Sequence, residues 1–166
     1  MKTHFCRLNR IALVVTIVAL SFVNSFTQDR NYIAISSAVF DILQQDDASS
    51  ETRFEFRYGK DKFLVQPFNG VMINTEGAMH IYFGLYYDIK VAGYLYITPS
   101  FAPGLYARRN SKDLKFALEF RSQLEVSFRF NNDVRIGFSF NHISNASLGI
   151  ENPGVESLAV TYIVPL

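Results

Sequence analysis

Residues 114–130 read LKFALEFRSQLEVSFRF, and the fold class turns on that stretch. Leu114, Phe116, Leu118, Phe120, Leu124, Val126, Phe128 and Phe130 share one parity, while Lys115, Glu119, Arg121, Gln123, Glu125 and Arg129 share the other. Successive side chains of a strand point to opposite sides, so this spacing predicts one long strand with an apolar face and a charged face. It exceeds the ~5–6 residues of an ordinary globular strand and suits a tilted strand that crosses a bilayer and continues beyond it.

The same alternation spreads outward from there. Phe54, Phe56 and Tyr58 alternate with Arg53, Glu55 and Arg57, and Ile81, Phe83, Leu85 and Tyr87 alternate with His80, Tyr82, Tyr86 and Asp88. No stretch beyond residue 25 carries the helical period. Eight strands are predicted, near 32–42, 52–58, 63–74, 78–88, 91–106, 114–130, 133–144 and 156–166. Tight turns are expected at Gly59–Lys62, Ile89–Lys90 and Asn131–Asn132. Longer polar links are expected at Gln44–Ser50, Ala107–Asp113 and Asn145–Gly154, with Thr75–Gly77 a short exception. Short turns on one rim and longer loops on the other describe an all-β, eight-stranded antiparallel up-and-down transmembrane β-barrel of the bacterial outer membrane, with both termini on the periplasmic side. The chain ends in an alternating strand through Leu158, Val160, Tyr162, Val164 and Leu166, similar to the assembly signal of such barrels.

A soluble exported sandwich or lipocalin-like barrel is the alternative fold. Against it, the polar parity carries Arg53, Glu55, Arg57, Glu119, Arg121, Glu125 and Arg129, a set rich in ion-pairing groups. The interior of an eight-stranded barrel is filled by side chains, so these residues are expected to form a paired polar core and not a pore. A channel is therefore not expected.

Composition fits once the amino end is set apart. Lys2, Arg7 and Arg10 precede an apolar run from Ile11 to Val23, followed by Asn24, Ser25 and Thr27. This is the pattern of a cleaved secretory signal, taken as residues 1–25, leaving a barrel domain over 26–166. The run is shorter than the ~18–20 residues of a spanning helix, which disfavours the alternative of a retained anchor. Cys6, the single cysteine, lies within that signal, so the exported part has no disulfide, thiolate or zinc-thiolate chemistry. The 16 basic and 15 acidic residues of the whole chain become 13 and 15 without Lys2, Arg7 and Arg10, a net charge of −2. That balance leaves no electrostatic footprint for nucleic acid.

Candidate chemistry gathers where the last two strands meet. His142 and Ser144 fall on the apolar, outward parity of the seventh strand, two residues and about 7 Å apart at roughly 3.4 Å per residue. Glu156 shares the outward parity of Leu158 and Val160 on the next strand, across from His142. A nucleophile, a base and an acid that orients the base would converge near the external rim. A charge is tolerated better there than at the bilayer midplane.

His142-Ile143-Ser144-Asn145-Ala146, followed by Asn152-Pro153-Gly154-Val155-Glu156, resembles the signature of the lipid A 3-O-deacylase (PagL, acyloxyacyl hydrolase) family. Leu118 to Ser122 and Tyr162 to Leu166 are also family-like. The resemblance implies an outer-membrane barrel whose outward-facing triad hydrolyses the ester-linked 3-O-acyl chain of lipid A. It implies Ser144 as nucleophile, His142 as general base, Glu156 as its orienting partner and Asn145 as an oxyanion donor. Ser147 stands at the second oxyanion position, where the family usually has glycine, and Asn152 belongs to the same group of positioning residues. Asn152-Pro153-Gly154 is also sufficient as turn chemistry alone.

Lipid A in lipopolysaccharide is the expected substrate and outer-membrane lipid the surroundings; a homodimer stays open. No cofactor and no metal site is expected: His80 reads as a hydrogen-bonded interior residue, and no acidic cluster accompanies it. Arg108, Arg109 and Lys112 in the external loops are candidate contacts for lipid A phosphates, and Asp46-Asp47 reads as a solvated loop. The competing function is a non-catalytic barrel with a structural or adhesion role, which the short external loops disfavour.

Overall fold

Eight antiparallel strands close on themselves in chain order. The structure is a computed structural model that describes residues 30–59 and 64–166. The expected signal with Cys6, and most of the predicted Gly59–Lys62 turn, lie outside the described residues. The strands are β1 (Tyr32–Phe40), β2 (Ser49–Arg57), β3 (Gln66–Asn74), β4 (Met79–Tyr86), β5 (Leu95–Ala107), β6 (Leu118–Arg129), β7 (Arg135–Ser144) and β8 (Val155–Pro165). Each pairs with its sequence neighbour, and β8 returns to β1, pairing Tyr32 with Pro165 and Phe40 with Ser157. Closure leaves no open sheet edge, as a backbone surrounded by hydrocarbon requires.

The alternation sorts the two faces. In β1 the buried and exposed residues alternate without interruption from Tyr32 to Phe40, and β7 alternates in the same way from Arg135 to Phe140. Phe54, Phe83, Phe101, Phe138 and Phe140 face outward and exposed. In water such a surface would drive association; in a bilayer it is the lipid-facing band.

The inward parity is charged, and buried charge is tolerated when paired. Glu55 accepts from Arg57 at 2.9 Å and from Tyr82 Oη at 2.9 Å, and lies 2.9 Å from Arg121. Arg57 also grips Glu125 with both terminal nitrogens at 2.9 Å. Arg135 pairs with Asp88 at 2.6 Å and stacks on Tyr96 at 4.0 Å. Arg53 is paired with Glu51. These residues fill the lumen as a cross-linked polar core. The His80 ring shares that interior, occupying the space over Gly104, where a Cβ would come within 2.4 Å of its Nε2. His80 is an interior residue as expected, fully buried, with its ring against the Glu119 backbone and flanked by Tyr82 and Tyr106.

Several boundaries shift for local backbone reasons. The seventeen-residue strand over 114–130 is shorter, because Lys115 takes a positive φ of 67° and reverses parity: Leu114 is buried, Lys115 exposed, and β6 begins at Leu118. The first strand stops at Phe40 because Asp41 turns at φ 56°. Ile89–Lys90 is not a turn but a rung opposite Ile97 and Tyr96, and the reversal falls at Val91–Tyr94. The external loops are accordingly 41–48, 75–78, 108–117 and 145–154.

Candidate active site

The register sets His142 directly opposite Glu156, and Ser144 opposite Phe120 of β6. All three polar residues keep outward parity at the external ends of β7 and β8 and are part-exposed, the side chains of His142 and Glu156 at 39% and 17%. The imidazole Nδ1 lies 2.9 Å from Glu156 Oε1. An ionised carboxylate can only accept, so this contact assigns the proton to Nδ1 and leaves the Nε2 lone pair as the base.

Two backbone features hold that pair. Gly154 carries a positive φ of 62°, and a Cβ there would stand 3.0 Å from His142 Cε1. The turn before β8 therefore passes close against the ring. The Ile42 N–H donates to the Glu156 carbonyl at 3.1 Å, which ties the loop after β1 to the rung carrying the carboxylate. Asp41, next to Ile42, is buried and anchored by Lys112 Nζ at 2.6 Å. Lys112 is thus withdrawn from the surface, contrary to its reading as a phosphate contact, because the buried Asp41 carboxylate claims its ammonium. Arg108 is exposed and pairs with Asp113 at 2.8 Å, while the Arg109 chain lies against Gly77 at the 75–78 turn. The Asp113 carboxyl is held below its ordinary range, first by the Lys115 backbone N–H and then by Arg108 and Lys115.

Ser144 follows His142 on the same face, about 7 Å away by strand geometry. Its hydroxyl makes no hydrogen bond among the described residues. Nucleophile–base contacts are often loose before substrate arrives.

Asn145 is not the donor the resemblance implied. Its side chain is fully buried, and its amide donates to the carbonyls of Leu114 at 3.0 Å and Glu151 at 2.8 Å. Both N–H groups are spent on fixing the loop. Its own backbone N–H donates to Asn152 Oδ1 at 3.0 Å, which leaves the amide nitrogen of exposed Asn152 free to donate elsewhere. The Leu148 N–H donates to the Asn145 carbonyl at 3.0 Å across Ala146 (φ 53°) and Ser147 (φ 63°), a turn with both central residues left-handed. Ser147 therefore adopts the conformation that glycine reaches without strain. Nothing in sequence spacing points to the Ile42 contact or to the Asn145 carbonyl partners, whereas Gly154 was legible as a turn residue but not as the floor beneath His142.

A family model described as lipid A 3-O-deacylase (PagL) matches residues 50–165. The fold is similar to the crystal structure of the outer membrane enzyme PagL, with a TM-score of 0.65 and 19% identity over 80% of this chain and 99% of that one. It is also similar to a de novo designed transmembrane β-barrel, with a TM-score of 0.62 and 8% identity over 84% and 98%. No curated protein sequence matches the chain.

Proposed function

The chain belongs to the lipid A 3-O-deacylase (PagL) family, and on that premise we propose that it is an outer-membrane esterase removing the 3-O-acyl chain of lipid A through Ser144, His142 and Glu156. One observation carries the reading: the His142–Glu156 contact of 2.9 Å on the lipid-facing side, with Ser144 on the same face of the same strand. Ionisable side chains on a membrane-facing surface are costly, and where they occur they mark a functional site.

Ser144 Oγ attacks the ester carbonyl carbon while His142 Nε2 takes its proton, and Glu156 holds the resulting imidazolium. The oxyanion is stabilised by the Asn152 amide N–H and the Ser147 backbone N–H, with Asn145 holding their loop. Collapse breaks the bond to the sugar oxygen, which leaves with the proton from His142. Water, deprotonated by the same imidazole, then frees the fatty acid from Ser144. The outward placement lets a bilayer-resident substrate arrive by lateral diffusion. Export by a cleaved signal at residues 1–25 delivers the barrel, and a homodimer in the membrane is compatible with this site.

The test is to express the protein and a Ser144→Ala variant in an envelope with fully acylated lipid A and to weigh the lipid A by mass spectrometry. The parent is expected to shift lipid A down by one 3-linked acyl chain and the variant to leave it intact. Unchanged lipid A with a correctly folded parent would favour the non-catalytic barrel.

A further inference from the structure

Loops 108–117 and 145–154 part above the candidate site to leave a cleft of about 470 Å³, lined by Lys115, Phe116, Leu148, Gly149, Ile150 and Glu151. That volume lies within the ~300–1,000 Å³ of small-ligand sites. Register fixes where it stands. Phe120 pairs with Ser144; Phe116 lies four residues before Phe120 and Leu148 four after Ser144, beyond the ends of β6 and β7 on the external side. Asn145 ties both walls together through the Leu114 and Glu151 carbonyls. The cleft therefore lies beyond the external ends of β6 and β7, the two strands whose Phe120–Ser144 rung carries the candidate serine.

Its chemistry is mixed. Phe116, Leu148 and Ile150 are exposed apolar side chains on loops that rise out of the lipid-facing band. Lys115 Nζ pairs with Asp113 at 3.6 Å and with Glu151 at 4.0 Å, long contacts between exposed side chains that are worth little and that a phosphate can outcompete. Among the neighbouring cations, Lys112 is committed to Asp41, Arg108 to Asp113, and Arg109 leans to the 75–78 turn. A substrate whose acyl chain lies in the bilayer and whose ester reaches Ser144 must carry its headgroup upward into this space.

We propose that the cleft between loops 108–117 and 145–154 seats the phosphorylated sugar headgroup of the glycolipid, with Phe116, Leu148 and Ile150 against the C–H face of a sugar ring and Lys115 on a phosphate. The inference rests on the esterase reading above and extends it to headgroup selection.

Hydrolysis by the purified full-length protein in detergent is measured on lipid A, on dephosphorylated lipid A, and on a headgroup-free ester of the same fatty acid. The parent is expected to prefer lipid A over the dephosphorylated form by about tenfold in kcat/KM, the worth of one charge-assisted contact. Lys115→Gln should erase that preference while keeping the rate on dephosphorylated lipid A, and Lys115→Arg should restore it. Ile150→Ser should raise KM for both glycolipids and leave the headgroup-free ester unaffected. A parent that deacylates lipid A without regard to phosphate, or a Lys115→Gln variant that slows all three substrates alike, would overturn headgroup reading alone. A folded parent that hydrolyses none of them would overturn the esterase reading and this one with it.

Discussion

Gly154 sets how closely the turn before β8 can approach the candidate base. At φ 62° an alanine would carry the ~1–2 kcal/mol strain of a left-handed L-residue, and its methyl carbon would press on His142 Cε1 from 3.0 Å. Gly154→Ala is expected to lower kcat by roughly ten- to a hundredfold, since an ångström of misplacement near the reacting groups can cost that much. A rate assay beside a gel showing the heat-modifiable folded form separates a displaced imidazole from a failed barrel. Ser147 is the converse case. Its φ of 63° makes Ser147→Gly a relief of strain, expected to stabilise by about 1 kcal/mol in urea titration while deacylation is retained.

At the scale of elements, the site depends on a loop that lies outside the candidate triad. The loop after β1 is fastened by the Lys112–Asp41 pair and delivers the Ile42 N–H to Glu156. Asp41→Ala would leave a buried ammonium without its partner, a change expected to cost about 3–5 kcal/mol. Urea unfolding should show that loss, and kcat should fall further than KM rises, because the rung under Glu156 loosens. The double change Asp41→Ala with Lys112→Met should recover much of the stability, since no buried charge remains. The strands themselves were legible because period-two alternation is local. Their ends were not, because Asp41 and Lys115 turn through positive φ to satisfy contacts with distant loops, and no local pattern announces that.

For the whole molecule, stability resides in an interior of paired charges enclosed by an apolar shell. Glu55 joins Arg57, Arg121 and Tyr82 in one cluster. Glu55→Ala takes from the buried Arg121 guanidinium its only carboxylate among the described residues and leaves Arg57 with Glu125 alone, and it is expected to destabilise the barrel by about 3–5 kcal/mol, more than any single truncation on the lipid face such as Phe138→Ala. Folding into detergent followed by urea titration compares the two. If the lipid-face truncation proved the more damaging, the polar core would not be what holds the strands together.

The sequence by itself determined the strand count, the inside and outside of the barrel and the outward parity of His142, Ser144 and Glu156, because alternation along a strand fixes which face each side chain takes. Only the tertiary structure decided who meets whom. His142 faces Glu156 through the β7–β8 register, Asn145 turns inward to lock a loop, Lys112 is consumed by Asp41, and Lys115 is left at the exposed wall of the cleft beside Glu151. Those outcomes depend on closure of the barrel, which brings together residues as far apart along the chain as Asp41 and Lys112, 71 residues, or Ser36 and Thr161, 125 residues. Contacts at such separations leave no periodic trace in the sequence.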